Sequence, residues 1–351
     1  MSINRTGILV AAAFALSLGL PAAAGWAQAL GPASVSLSGA GATFPAPLYK
    51  KWISVYQRSH QNVSITYDAV GSGEGIKRFV GEAVDFAGSD ELLSENEAAK
   101  VEGAAMVPVT AGMIVLAYRI PGVDSAIRLP REIFADIFAG TIRRWNDPRI
   151  QEANPGIRFP SRDIAVVARL DSSGTTAAFT RHLAASNPSW RSRGLGVGKL
   201  IAWPSGAMLA SGNEGVAARI KISEGAIGYV EYGFAKRLGL PMAALQNKSG
   251  TFVTPSEAAA QLALSARVAK VNELERSVVD PTAAGAYPLV SYSWLFLYRN
   301  YRDAAKGRAL RDFVQWGLSE GQQYGAEFGY VPLSADIVSL GRQALETTTD
   351  R

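Results

Sequence analysis

The residues best suited to chemistry in this 351-residue chain stand together as Arg169-Leu170-Asp171-Ser172-Ser173-Gly174-Thr175-Thr176. A guanidinium presents a planar fork of donors that matches a tetrahedral oxyanion. If a helix begins at Ser173, then Ser173, Gly174 and Thr175 add hydroxyls and backbone N–H groups that have no helical acceptor. Residues 169 and 171 project to the same side of an extended chain, so guanidinium and carboxylate are neighbours. That carboxylate is out of character in a donor-rich turn. It accepts a hydrogen bond only from a ligand that still carries a proton, as phosphate does near neutral pH and sulfate does not, and it repels a fully ionised oxyanion. The same residues also suit a surface Arg–Asp pair followed by an ordinary N-cap.

Three more small, polar turns share this chemistry: Gly39-Ala40-Gly41-Ala42-Thr43-Phe44, Gly71-Ser72-Gly73-Glu74-Gly75 and Gly88-Ser89-Asp90. Glycine lets a ligand approach the bare backbone, and Ser or Thr caps a helix or donates a hydroxyl. One such turn is weak evidence, because most strand-to-helix units need a short polar connection. Several turns of one chemistry on two sets of elements are stronger evidence.

The elements that must position these turns alternate. Strand-like runs at 35–37, 63–70 and 84–87 are followed by helical patterns at 47–59, 75–81 and 95–101. A second set has helices at 131–138, 175–185 and 213–220 with strands at 164–168 and 226–232. Such alternation predicts an α/β architecture with largely parallel sheets. The length predicts two lobes. Apolar runs at 113–120 and 290–298 flank the second set and are the expected crossovers. They make lobe 1 discontinuous, residues 30–115 plus 290–351, with lobe 2 at 116–289. Helices at 303–318 and 335–345 are expected to pack back on lobe 1.

Residues 1–29 carry Arg5, a fourteen-residue apolar or small run from Gly7 to Leu20, and Ala27-Gln28-Ala29, which together predict a secretory signal peptide. The run is shorter than the roughly 20 residues that span a bilayer. With no cysteine, the chain has no disulfide, thiolate metal site or lipid-anchoring cysteine, so the expected address is the periplasm, untethered by lipid. Two histidines, His60 and His182, cannot form a three-histidine metal centre; they are expected on helix surfaces. The net charge of +5 comes without the charge blocks of nucleic-acid tails, so no nucleic-acid partner is expected. Lys50-Lys51 and Arg143-Arg144 are expected to be solvated, and Trp52, Trp145, Tyr229 and Tyr232 to pack in the core. Gly317-Leu318-Ser319-Glu320-Gly321 has the form of a nucleophile elbow, yet it lies in a helical pattern with no histidine after it. Gly198-Lys199 is followed by Leu200, which removes a P-loop. No enzyme, metal or cofactor is predicted.

In order and spacing, Ser38-Gly39-Ala40-Gly41-Ala42-Thr43-Phe44-Pro45-Ala46-Pro47-Leu48-Tyr49 with Trp52, the segments 70–75 and 84–90, and Arg169 to Thr175 resemble the periplasmic phosphate-binding proteins of Pst-type ABC importers. Segments 138–147, 225–232 and 329–333 extend the resemblance over nearly the whole chain. It implies a type II periplasmic-binding-protein fold, two mixed sheets flanked by helices and joined by two crossover strands. It also implies a monomer that closes on one phosphate and delivers it to an ABC permease of two transmembrane subunits and an ATPase. Carried over by position, the phosphate ligands are Thr43, Phe44, Ser72, Asp90, Arg169, Asp171, Ser173, Gly174 and Thr175. Glu74 replaces a smaller residue of the pattern and is expected at N1 or N2 of its helix, facing solvent. Rival readings are a receptor for sulfate or molybdate, disfavoured by Asp90 and Asp171, and an exported scavenging or adhesive relative not coupled to transport.

Overall fold

The computed structural model describes residues 34–350 apart from Glu102; the segment read as a signal peptide lies outside the described residues. Eight strands form the principal sheet: β1 (Val35–Gly41), β2 (Val63–Ala69), β3 (Phe86–Ser89), β4 (Ala104–Arg119), β5 (Ala165–Arg169), β6 (Met208–Ala210), β7 (Ala226–Glu231) and β8 (Val290–Tyr298). Their order is β2-β1-β3-β8-β4-β7-β5-β6. Helices α1 (Ala46–Ser59) and α2 (Ser72–Val80) follow β1 and β2, and α3 (Arg131–Phe138) precedes β5. Then come α4 (Gly174–Ser186) after β5, α5 (Gly212–Ile222) after β6, α6 (Tyr232–Arg237) after β7, and α7 (Ala304–Gly317) and α8 (Ala335–Glu346) after β8.

The sheet has two ladders that share β4. Residues 104–113 of β4 pair antiparallel with β8, and residues 114–119 pair antiparallel with β7. β1, β2 and β3 are parallel to one another, as are β5, β6 and β7. Since β3 and β4 are both antiparallel to β8, the first parallel set runs with β4 and the second runs against it. The carboxyl ends of both sets therefore converge on the middle of β4, where Ile114 pairs with Glu231 and Ser89 pairs with Trp294 opposite Pro108. Open α/β sheets bind ligands outside the carboxyl ends of their strands. Here two such ends face a common point.

Burial explains the sequence patterns. β4 is buried along almost its whole length, as a strand covered on both faces must be, and so it reads as one apolar run. In α1, Leu48, Tyr49, Trp52 and Tyr56 recur at helical spacing and face the core, where Trp52 Nε1 donates to Gly321 O at 2.7 Å. In the second half, Tyr229 stacks on Phe179 with ring centroids 4.6 Å apart, and Trp145 Nε1 donates to Gly225 O at 2.9 Å. The expected core placement of Trp52, Trp145 and Tyr229 is observed, whereas Tyr232 is only half-buried. One expectation is corrected: His182 is a core residue of α4, 3% exposed, and lies beside Phe134 with ring centroids 6.0 Å apart. The segment 317–321 joins α7 to a 3-10 turn, Glu320–Tyr324, without the strand that a nucleophile elbow requires. Among the described residues no helix is long and apolar enough to cross a membrane.

Candidate functional site

The four turns meet at the convergence point. In the first, β1 ends at Gly41 and α1 begins at Ala46, which leaves Thr43 and Phe44 in the connection. Tyr67 Oη donates to Ala42 O at 3.0 Å and Tyr330 Oη to Phe44 O at 2.6 Å. A trans peptide sets its N–H opposite its C=O, so the bond from Tyr67 aims the Thr43 N–H the other way. In the second turn, Ser72 is the first residue of α2 and fully buried, and its Oγ accepts from Asp90 N at 3.3 Å. Asp90 follows β3 and is 1% exposed.

The other half contributes Arg169, the last residue of β5, and the start of α4. Ser173 is the N-cap, its Oγ accepting from Thr176 N at 3.1 Å. Gly174 and Thr175, the first helical residues, sit where backbone N–H groups have no helical acceptor. Thr175 Oγ1 lies 3.4 Å from Arg169 Nη1 and 3.5 Å from Asp90 Oδ2, which joins the two halves at a single hydroxyl. A Cβ at Gly174 would stand 2.4 Å from Ser72 Oγ and 2.8 Å from Asp90 Cβ, so only glycine permits this approach. All nine residues of the sequence reading thus fall at one locus. Glu74 lies away from it at N3 of α2, half-exposed, accepting from Arg78 Nε at 2.9 Å.

The two carboxylates differ in role. Asp171 turns both oxygens to partners: Oδ1 accepts from Arg169 Nε at 2.8 Å and from Gly212 N at 2.9 Å, and Oδ2 accepts from Arg169 Nη2. Burial opposes its charge, but the Arg169 hydrogen bonds and charge outweigh burial and hold the carboxyl below its ordinary range. Asp171 thus clasps the Arg169 guanidinium side-on and is anchored in turn by the Gly212 N–H. Asp90 is buried more deeply and accepts from hydroxyls of both halves, Ser293 Oγ on Oδ1 and Thr175 Oγ1 on Oδ2. Burial pushes its carboxyl up to about 7, against the opposing Ser293 hydrogen bond, the Arg169 charge and the Thr175 hydrogen bond.

Three supporting residues escaped the sequence reading. Asn213 in α5 is fully buried; its Nδ2 donates to Thr43 Oγ1 at 3.0 Å and to Thr175 Oγ1 at 3.3 Å, while Oδ1 accepts from Glu231 N at 2.9 Å. It follows Ser211-Gly212, a fifth small polar turn after a strand, and that was the available signal. Ser293 Oγ donates to Asp90 Oδ1. It is a hydroxyl inside a run of aromatic and aliphatic residues, the only hint of a polar duty. Glu231 caps α6, accepting from Gly233 N at 2.7 Å and Phe234 N at 3.3 Å; burial pushes its carboxyl up to about 8. Tyr229, expected only to pack, also places its hydroxyl 2.6 Å from Thr176 Oγ1 and 3.1 Å from Arg169 N.

A cleft of about 680 Å³ adjoins the cluster, lined by Thr43, Lys50, Asp171, Gly212, Phe234 and Arg237 among others. Among the described residues no group of three or more His, Asp and Glu side chains is placed to hold a metal ion. What the cluster offers is buried hydroxyls and helix-start N–H groups around the Arg169 guanidinium, with the carboxylates of Asp90 and Asp171 beside it.

The fold and this arrangement define a two-ladder α/β solute-binding protein, and a model described as the PBP superfamily domain matches residues 24–320. Phosphate-binding protein PstS of Methanocaldococcus jannaschii is 34% identical over 337 residues, covering 90% of this chain and 86% of its own. The PstS protein of Haemophilus influenzae is 34% identical, covering 89% and 93%. That of Xylella fastidiosa is 35% identical, covering 87% and 83%. The chain belongs to the PstS family of phosphate-binding proteins, whose members are solute-binding proteins and not enzymes. The fold is shared with a solved high-affinity periplasmic phosphate-binding protein, PfluDING, bound with phosphate (TM-score 0.70, 22% identity, 88% of this chain and 93% of that one). It is likewise shared with the phosphate-binding protein of Stenotrophomonas maltophilia (TM-score 0.70, 22% identity, 88% and 94%).

Proposed function

We propose that this protein captures inorganic phosphate between two lobes, residues 30–115 plus 290–351 and residues 116–289, and delivers it to an ABC permease. The observation that carries this reading is the buried carboxylate of Asp90, set among donors drawn from both halves. Thr43 and Phe44 offer backbone N–H groups, Ser72, Ser173 and Thr175 offer hydroxyls, Gly174 offers a backbone N–H, and Arg169 supplies the formal charge. Asp171 holds Arg169 in place. Asp90 accepts the proton that phosphate carries at neutral pH. Sulfate and molybdate have no such proton and meet a lone pair there.

Capture needs no metal. Water around the anion is replaced by fixed donors as the lobes close, and closure is driven only by contacts stronger in the closed state than in the open one. A micromolar dissociation constant corresponds to about 8 kcal/mol, within reach of several charge-assisted hydrogen bonds after dehydration and closure costs. Export by the segment 1–29 places the monomeric receptor in the periplasm, where the permease takes its cargo. The names of the relatives, as phosphate-binding proteins, support the ligand.

Calorimetry of protein stripped of phosphate tests the reading. One phosphate site is expected, with Arg169→Ala losing most of the affinity. A variant that binds as tightly as the parent would move the site elsewhere.

A further inference from the structure

Asp90 has to remain an acceptor for the proposed selection to operate, yet it sits where a carboxylate is hard to keep ionised. It is fully buried, Glu91 follows it, and the tyrosines Tyr49, Tyr67 and Tyr330 and the carboxyl of Glu231 lie around it. The groups that favour its charge are Ser293, Arg169 and Thr175. Arg169 and Thr175 belong to β5 and α4, in the other half of the molecule. Ser293 lies in β8, which pairs directly with β3, so it shares a ladder with Asp90.

The local geometry presents the Ser293 hydroxyl to the carboxylate. Ser293 pairs with Thr110 and the next residue, Trp294, pairs with Pro108, so the β8–β4 register skips Val109 at this point. The extra residue lies on β4, and on the other edge of β8 the antiparallel register that pairs Trp294 with Ser89 sets Ser293 beside Asp90. Ser293 is fully buried and its Oγ donates to Asp90 Oδ1, while Oδ2 is the oxygen turned toward Thr175 and the other half. A carboxylate oxygen that receives a hydroxyl proton is thereby held as the unprotonated one.

We propose that Ser293 is a specificity-determining positioning residue, which by donating to Asp90 Oδ1 keeps Asp90 an acceptor and so restricts the site to oxyanions that carry a proton. This rests on the phosphate reading above. Burial is the largest influence raising the Asp90 carboxyl, and the Ser293 bond is the largest one lowering it, ahead of the Arg169 charge. Since Ser293 and Asp90 share one ladder, the bond does not depend on the halves being together. When it is removed, Asp90 takes up a proton at higher pH and becomes a donor. A protonated Asp90 welcomes sulfate, which stays a dianion throughout the neutral range.

The test is the titration of the Asp90 carboxyl by carbon-13 NMR in the phosphate-stripped full chain, assigned by its loss in Asp90→Asn, together with phosphate and sulfate affinities at pH 8. A hydrogen bond to a charged group corresponds to about one to two pH units, so Ser293→Ala should raise the midpoint by at least about one unit. The same variant should lose several-fold in phosphate-over-sulfate preference. Ser293→Thr, which keeps the hydroxyl, should restore both. A midpoint or a preference that Ser293→Ala leaves unmoved would overturn the proposal, even with wild-type phosphate binding intact. Failure of the wild-type protein to bind phosphate would instead overturn the reading beneath it, and the specificity role with it.

Discussion

The Asp171 carboxylate lies along one edge of the Arg169 guanidinium, accepting from Nε at 2.8 Å and from Nη2, and is held from behind by the backbone N–H of Gly212 at 2.9 Å. The other edge of the guanidinium, Nη1, faces Thr175 Oγ1 at 3.4 Å. A bidentate clasp of this kind fixes the plane of an arginine before a ligand arrives, so less side-chain entropy is lost on binding.

Asp171→Asn should therefore weaken phosphate and sulfate together, by about tenfold or about 1.4 kcal/mol, and leave their ratio nearly unchanged. Isothermal titration with both anions reads this directly. A selective gain in sulfate binding would return Asp171 to the acceptor role that its spacing first suggested.

Gly174→Ala tests the approach of the two halves. The added methyl would stand 2.4 Å from Ser72 Oγ and 2.8 Å from Asp90 Cβ, both on the opposite half. Alanine also suits a helix start better than glycine does. The expected outcome is a loss of phosphate affinity of at least about 100-fold, nearly 3 kcal/mol, with an unfolding temperature close to the parent's. Unchanged affinity would show that the ligand is held without this contact.

His182 gives a pH dependence unrelated to ligand. Burial holds its imidazole down at about 4 from an ordinary 6.5, and neither ring nitrogen has a hydrogen-bond partner among the described residues. The unfolded chain takes up a proton that the folded one refuses. The stability at stake is intact above about pH 6.5 and is lost as the pH falls toward 4. Between pH 7 and pH 5 the loss is on the order of 2 kcal/mol. His182→Phe should remove that share of the acid sensitivity in urea unfolding measured at the two pH values. An identical slope in parent and variant would mean that the ring is solvated in solution.

Much of this molecule is legible in local sequence, and the limits follow from topology. The turns at 39–44, 71–75 and 169–176 declare themselves because glycine, capping hydroxyls and a following helix are neighbours in the chain. The run at 113–120 is identifiable as a passage between ladders because β4 is buried on both faces, although the strand in fact begins at Ala104. Asn213 and Ser293 are not so visible. Each meets a partner remote in the chain, Asn213 standing 170 positions from Thr43 and Ser293 203 positions from Asp90. The role of Asp171 was half-visible: spacing placed it beside Arg169, but its second partner, Gly212, comes from a separate strand-to-helix turn. His182 was missed because α4 is buried on nearly every side, with Thr175, Thr176, Ala177, Phe179, Thr180, Leu183 and Ala184 all in the core, so no polar stripe marks an outward face.

The most direct measurement is a paired titration of the phosphate-stripped wild-type protein and Asp90→Asn with phosphate and with sulfate at pH 8. Burial holds the Asp90 carboxyl at about 7, so at pH 8 it is mostly ionised in the wild-type protein. One tight phosphate site is expected in the wild-type protein, with sulfate at least about 100-fold weaker, nearly 3 kcal/mol. The carboxamide that replaces the carboxylate in the variant can donate to an ionised oxygen, so phosphate should weaken and sulfate strengthen until the preference narrows by about tenfold or more. Equal wild-type affinity for the two anions, or a preference that Asp90→Asn leaves untouched, would contradict the claim that one buried acceptor selects the protonated oxyanion.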